Sequence, residues 1–283
     1  MNDKQTLIKL QALDQTDPWE WGPGTEDFLL GVLQGDFSDP DGLLLAAHLA
    51  GNYVVVNDEL VDALLDILGD SKAPEELRGT AAISLGPALE DADMNELDDP
   101  DEYDDCCISP QMFRKTCKTL ASLYRDADIP KLVRRRVLEA AVRSPQSWQK
   151  DAIRAAYASG DEDWVLTAVF CMGYVKGFER EILAALNSPN PDIHLHAVEA
   201  AGNWELDAAW PHVEGLLTSK DTDRELLMFA MDAAAQIKPK VAGKLIKPFA
   251  QSKDEEIADV ALEALEAIEC ALNSDSNDNG RTW

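Results

Sequence analysis

Basic residues are scarce: 25 Lys and Arg stand against 53 Asp and Glu, a formal net charge of −28 over 283 residues. A surface of that sign repels phosphate backbones and anionic headgroups, so neither nucleic acid nor a membrane is the expected partner. No apolar run approaches the roughly 18 residues that cross a bilayer. The opening MNDKQTLIKL lacks the apolar core of a secretion signal. Cysteine is sparse and odd in number, five, with no C-x-x-C pair. That excludes a disulfide-stapled module and fits a reducing, cytoplasmic setting. Cys106 and Cys107 adjoin in an acidic stretch, where a thiolate is disfavoured, so an inert pair is expected over a redox or soft-metal one. Cys171 and Cys270 fall in apolar helical patterns and read as small core residues. Strand signals are also wanting; Tyr53-Val54-Val55-Val56 is the nearest, and it is short.

What is present is a repeat. Turn-like segments begin at Ser38, Ser71, Asp126, Ser159, Ser188, Ser219 and Ser252, and five of the six gaps are 29–33 residues. Eight to twelve residues after each comes an alanine-rich block, such as Ala81-Ala82-Ile83-Ser84-Leu85-Gly86 or Ala197-Val198-Glu199-Ala200-Ala201-Gly202. Two anchors in one register make chance periodicity a poor explanation. The turn residues suit N-caps, and the acids after them suit the positive end of a helix. The small residues allow close helix approach. Upstream lie amphipathic helices; in one of them Leu60, Leu64, Ile67 and Leu68 form a stripe.

These features predict an all-α fold, an α-solenoid of about seven helical hairpins. First helices are expected near 25–35, 58–69, 110–125, 146–158, 178–187, 207–218 and 241–251. Their partners are expected near 40–53, 74–90, 129–144, 162–176, 191–204, 222–237 and 255–271. Residues 1–24, with Leu7–Leu13, Trp19 and Trp21, would cap one end and Ile257–Leu272 the other, leaving 272–283 as a flexible tail. Trp19, Trp21, Trp148, Trp164, Trp204 and Trp210 sit near element ends and read as wedges between repeats.

Blocks such as Asp192-Ile193-His194-Leu195-His196-Ala197-Val198-Glu199-Ala200-Ala201-Gly202 resemble HEAT repeats, especially the bacterial kind related to phycobilisome-lyase HEAT-like repeats. The resemblance spans about 25–271 and implies a protein-binding scaffold. Its lyase side implies, as the alternative, phycobilin-lyase-like or chaperone activity on a chromophore protein. Many such repeats carry an arginine three residues before the alanine-rich block. Here Arg78 and Arg135 hold that place while other repeats lack it, so an inter-repeat arginine ladder is mostly missing.

Charge is uneven. Residues 1–109 carry net −22, residues 110–154 net +7 and residues 155–283 net −13. The acidic pole lies in an insert, 90–109, read as an inter-repeat loop; ten of residues 90–105 are acids. Asp91, Asp93, Asn95 and Glu102 match positions 1, 3, 5 and 12 of a calcium loop, but Glu96 replaces the required glycine. The basic belt contains Arg134, Arg135, Arg136, Arg143, Trp148, Lys150 and Arg154. It suits either an acidic or phosphorylated partner segment, or acids of this chain on the insert and neighbouring repeats.

No nucleophile elbow, phosphate loop or H-E-x-x-H motif occurs. None of the four histidines precedes Glu, unlike the His-Glu pairs of iron-binding HEAT-type hydroxylases. His194 and His196 diverge on one helix, and His48 and His212 lie in other repeats. No catalytic residue, cofactor or metal is therefore expected. The expected activity is binding of a protein partner, through a basic segment, on an acidic concave face made by the second helices. Thr80, Ser84, Arg135, Glu139, Thr167, His196 and Glu199 are placed outward on that face by helical phase. The oligomeric state stays open.

Overall fold

The computed structural model describes residues 3–35, 37–95 and 106–278, and among these no strand occurs. Sixteen α-helices follow in order: α1 (Asp3–Asp14), α2 (Thr25–Gln34), α3 (Pro40–Ala50), α4 (Asp58–Gly69), α5 (Glu75–Ile83), α6 (Gly86–Met94), α7 (Pro110–Arg125), α8 (Lys131–Ala141), α9 (Gln149–Ala158), α10 (Glu162–Met172), α11 (Glu179–Ala185), α12 (Pro191–Asn203), α13 (Trp210–Thr218), α14 (Arg224–Ile237), α15 (Pro239–Ile246) and α16 (Glu255–Asp278). The fold is all-α and of α-solenoid type.

Side-chain caps start several helices, at repeat turns and ahead of first helices, but α5 and α8 begin after Pro74 and Pro130 with none. Asp39 accepts from the Gly42 amide, Asn57 from Leu60, Ser109 from Met112, Asp161 from Trp164, Asn190 from Ile193 and Asp223 from Glu225. Each satisfies an amide that the first helical turn leaves unpaired.

Two compact units divide the chain, Met1–Ala152 and Ile153–Trp283. In the first, α2/α3, α4/α5 and α7/α8 are hairpins; first helices α2, α4 and α7 form one layer and second helices α3, α5 and α8 the other. Helix α1 lies against α3, burying Leu10 and Leu13. In the second unit α11/α12, α13/α14 and α15/α16 are hairpins, and α10, α12, α14 and α16 stack as the second-helix layer. Leu60, Leu64 and Leu68 are fully buried, worth about 1.5–3 kcal/mol each.

The alanine blocks act as expected, by close approach. A Cβ on Gly51 would lie 2.3 Å from the Ser84 carbonyl oxygen, and one on Gly202 would lie 2.7 Å from the Ala233 Cα.

Several expectations need correction. The helix expected over 74–90 stops at Ile83 and restarts as α6, because Pro87 has no N–H for the Ile83 carbonyl and its ring would clash there. The insert expected as a loop from residue 90 is helical through Met94, with Ala92 buried; residues 96–105 lie outside the described residues. Asp91 accepts from the Cys107 amide (2.9 Å) and Asp93 from the Ser144 hydroxyl (3.3 Å). The first positions of the calcium pattern are thus helical and committed to different partners; Glu102 is not described. Helix α16 runs past 271 to Asp278, so the tail expected from 272 begins as helix; 279–283 are not described. Cys270 is exposed instead of core, while Cys171 is buried.

Arg78 does not reach toward a neighbouring repeat. It is 3% exposed and donates from Nε to the Leu68 carbonyl at 2.9 Å, capping the C-terminus of its own hairpin partner α4. Its counterpart is Arg134, not Arg135: the Arg134 Nε donates to the Tyr124 carbonyl at the end of α7 (3.0 Å), again ten residues back.

Candidate functional site

The second-helix layer of each unit carries a groove. In the first unit it crosses α3, α5 and α8, encloses about 670 Å³ and has an apolar floor of Leu44, Leu45, Ile83 and Leu132, with Glu76 and Arg136 at its edges. Three residues expected to face outward here and in α10 are instead buried: Ser84, Glu139 and Thr167. Helical phase treats a helix as covered on one side. A second helix is covered by its hairpin partner and by second helices of adjoining repeats, so a wider sector is lost to solvent. Thr80, Arg135, His196 and Glu199 remain half-exposed.

In the second unit a groove of about 330 Å³ crosses α12, α14 and α16. Glu199, Asp232 and Glu263 line it, one from each helix, beside Phe229, over a floor of Ala233, Ala264 and Ala267. Each acid is the third residue of its alanine block, so the repeat itself sets them on one face. Glu199 was legible from phase; Asp232 and Glu263 occupy the same block position, a signal the sequence carries. Burial, then the nearby Glu263 charge, raises the Asp232 carboxyl from 3.8 to about 6. One turn before Glu199, the His196 Nδ1 lies 3.0 Å from its carboxylate, and Phe170 of α10 meets the His196 ring edge-on at 5.3 Å.

The basic belt is divided among internal contacts. The Arg134 guanidinium lies over the Tyr124 ring (5.4 Å), which packs on Trp148 (5.1 Å), itself 5.8 Å from Arg125. Arg136 pairs with Glu139 at 2.6 Å. Arg143 pairs with Glu90, at the start of the acidic pole, and Tyr53 donates to the same carboxylate at 3.4 Å. Arg135 and Lys150 are half-buried. Arg154 falls in the second unit, with its guanidinium over Phe178 (5.7 Å). The structure therefore brings Arg134 and Trp148 together around Tyr124 and sends Arg136, Arg143 and Arg154 to separate partners.

Burial and Asp91 push up both vicinal thiols, Cys106 and Cys107, and burial holds Cys117 at about 11. Thiolate is scarce at each. One contact escaped sequence reasoning entirely. His194 in α12 and His212 in α13 face each other, Nε2 to Nε2, at 2.7 Å with ring planes 76° apart. Eighteen residues separate them, which is not the repeat period, so no spacing rule flags the pair. No group of three or more His, Cys, Asp or Glu placed to hold a metal occurs among the described residues. No described helix is long and apolar enough to cross a membrane.

No family model matches the chain. No curated protein matches it either. Among solved structures, it is similar to human deoxyhypusine hydroxylase in complex with glycerol, at 16% identity and TM-score 0.41, covering 94% of this chain and 98% of that one. An engineered protein matches at 18% and TM-score 0.43, covering 95% and 79%. A designed armadillo repeat protein in complex with a (KR)4 peptide matches at 15% and TM-score 0.29, covering 94% and 90%. The likeness concerns helical repeats alone, and the finer resemblance to phycobilisome-lyase repeats gains no support from it.

Proposed function

We propose that this protein is a non-enzymatic repeat scaffold that binds the basic segment of a protein partner on its second-helix faces. The observation that carries this reading is the register of Glu199, Asp232 and Glu263 on three stacked helices beside Phe229. Burial first, and then repulsion from the Glu263 charge, hold the Asp232 carboxyl above its ordinary value. A lysine or arginine side chain laid between the two carboxylates relieves that repulsion, and Phe229, lining the same groove, adds apolar surface for its methylenes. The net −13 of residues 155–283 adds long-range attraction, which speeds encounter and weakens with salt. The apolar groove of the first unit suits the partner's aliphatic side chains.

The experiment is fluorescence anisotropy with a labelled Lys/Arg-rich peptide, run at low and high salt. Binding at low salt that weakens with salt, and that falls roughly tenfold or more in the Asp232→Lys/Glu263→Lys double variant, is the expected result. Binding of equal strength in the double variant would remove the site from consideration. Absence of binding at low salt would remove the basic segment as the recognised chemistry.

A further inference from the structure

A separate feature of the second unit concerns the paired histidines. His194 occupies the first turn of α12, directly after buried Ile193; His212 occupies the first turn of α13, directly before buried Val213. The backbones carrying the two rings are therefore anchored. The ring centroids lie 4.9 Å apart while the Nε2 atoms approach to 2.7 Å, so the nitrogen edges are the parts that converge.

Both rings are held neutral. Burial lowers each below the ordinary 6.5, and for His194 the facing His212 adds to the effect. Their placement at helix N-termini disfavours a positive ring further. Neutral imidazole is the form that ligates metal. In the resting pair, one ring must carry its proton on Nε2 and the other must present a lone pair there. If the first ring moves that proton to its Nδ1, the two Nε2 lone pairs face each other nearly head-on, with no net proton gained or lost.

The distances fit. Two imidazole nitrogens at about 2.0–2.1 Å from one ion lie about 2.9 Å apart in a cis-octahedral site and about 3.3 Å apart in a tetrahedral one. The two nitrogens need to separate by only a few tenths of an ångström from 2.7 Å, and each ring must swing roughly 35–45° off the line between them so that both lone pairs meet on the ion. Both residues are half-exposed, so water can complete the coordination. Imidazole selects zinc, copper or nickel over the hard cations magnesium and calcium, which take oxygen. His196 is excluded from the site by its own bond to Glu199.

We propose that His194 and His212 form a two-imidazole site for a divalent transition-metal ion, tying the start of α12 to the start of α13, with water in the remaining positions. The chain has four histidines, so ring-selective NMR decides the matter on the wild-type protein. Zinc ion is added to the full chain after chelator treatment, and the histidine ring resonances are followed. The expected result is movement of two of the four, lost again on adding EDTA, with each ring keeping its Nδ1–H. His194→Gln and His212→Gln each remove one of the moving signals and weaken the zinc-induced shift of the other roughly tenfold or more, whereas His196→Gln leaves both moving. Zinc taken up by thiols elsewhere does not score, because the readout is the rings. No ring movement at millimolar zinc, or movement assigned to His48 or His196, overturns the proposal.

Discussion

Asp232 and the histidine pair give the second unit opposing responses to acid. The folded-state carboxyl of Asp232 lies near 6 against 3.8, so between those values the folded chain holds a proton that the unfolded chain has lost. Its contribution is fully present below about pH 4 and is lost as pH rises through 6. His194 and His212 run the other way: their folded values lie below 6.5, so stability is lost as pH falls from that value. Asp232→Asn should therefore raise the pH 7 melting point and flatten the pH 4–6 slope. One side of Asp232 remains open to water, so the expected gain is discounted to about 1 kcal/mol. Thermal melts across pH check this; a variant curve parallel to wild type through pH 4–6 would acquit the carboxyl. At this scale the sequence is a partial guide. Arg78 was visible as a special residue, but its partner, a carbonyl ten residues back, became evident only when Arg134 repeated the contact.

Between elements, small residues set the spacing. Gly202 lies where α12 meets α14, and a methyl group there would sit 2.7 Å from backbone. Backbone cannot yield as a flexible side-chain tip does, so the helices must part. Gly202→Ala is expected to cost about 1–3 kcal/mol, despite alanine's better helix propensity. Chemical denaturation checks it; unchanged stability would mean that α12 and α14 are free to slide. Gly215 is the control, since nothing lies within 4 Å of a Cβ placed there. The helices were legible because their signals are local: a capping Asp, Asn or Ser, an apolar stripe, a closing glycine. The α5–α6 break had its signal too, in Pro87, but the alanine block masked it by continuing the helical pattern across Ser84 and Leu85. The buried states of Ser84, Glu139 and Thr167 were not legible, because each depends on how many neighbours flank a second helix.

For the molecule as a whole, charge dominates. The excess of 28 negative charges has few cations to absorb it, and ion pairs such as Lys115–Asp62 and Arg224–Asp254 use several of those. Like-charge repulsion should exceed the attraction of the exposed pairs, so raising salt from low to moderate concentration should raise the melting temperature by a few degrees. Calorimetry over a sodium chloride series checks this; a fall would show that the pairs outweigh the surplus acid. The candidate site was half legible on this scale. Composition pointed to an acidic face, but three acids sharing one groove required the second helices to stack. Trp204 has a consequence of its own. Its indole N–H is donated to the Met172 carbonyl, 32 residues earlier at the end of α10. An ultraviolet circular-dichroism band from that ring would register slippage between α10 and α12 while both stay helical, a built-in optical gauge of alignment.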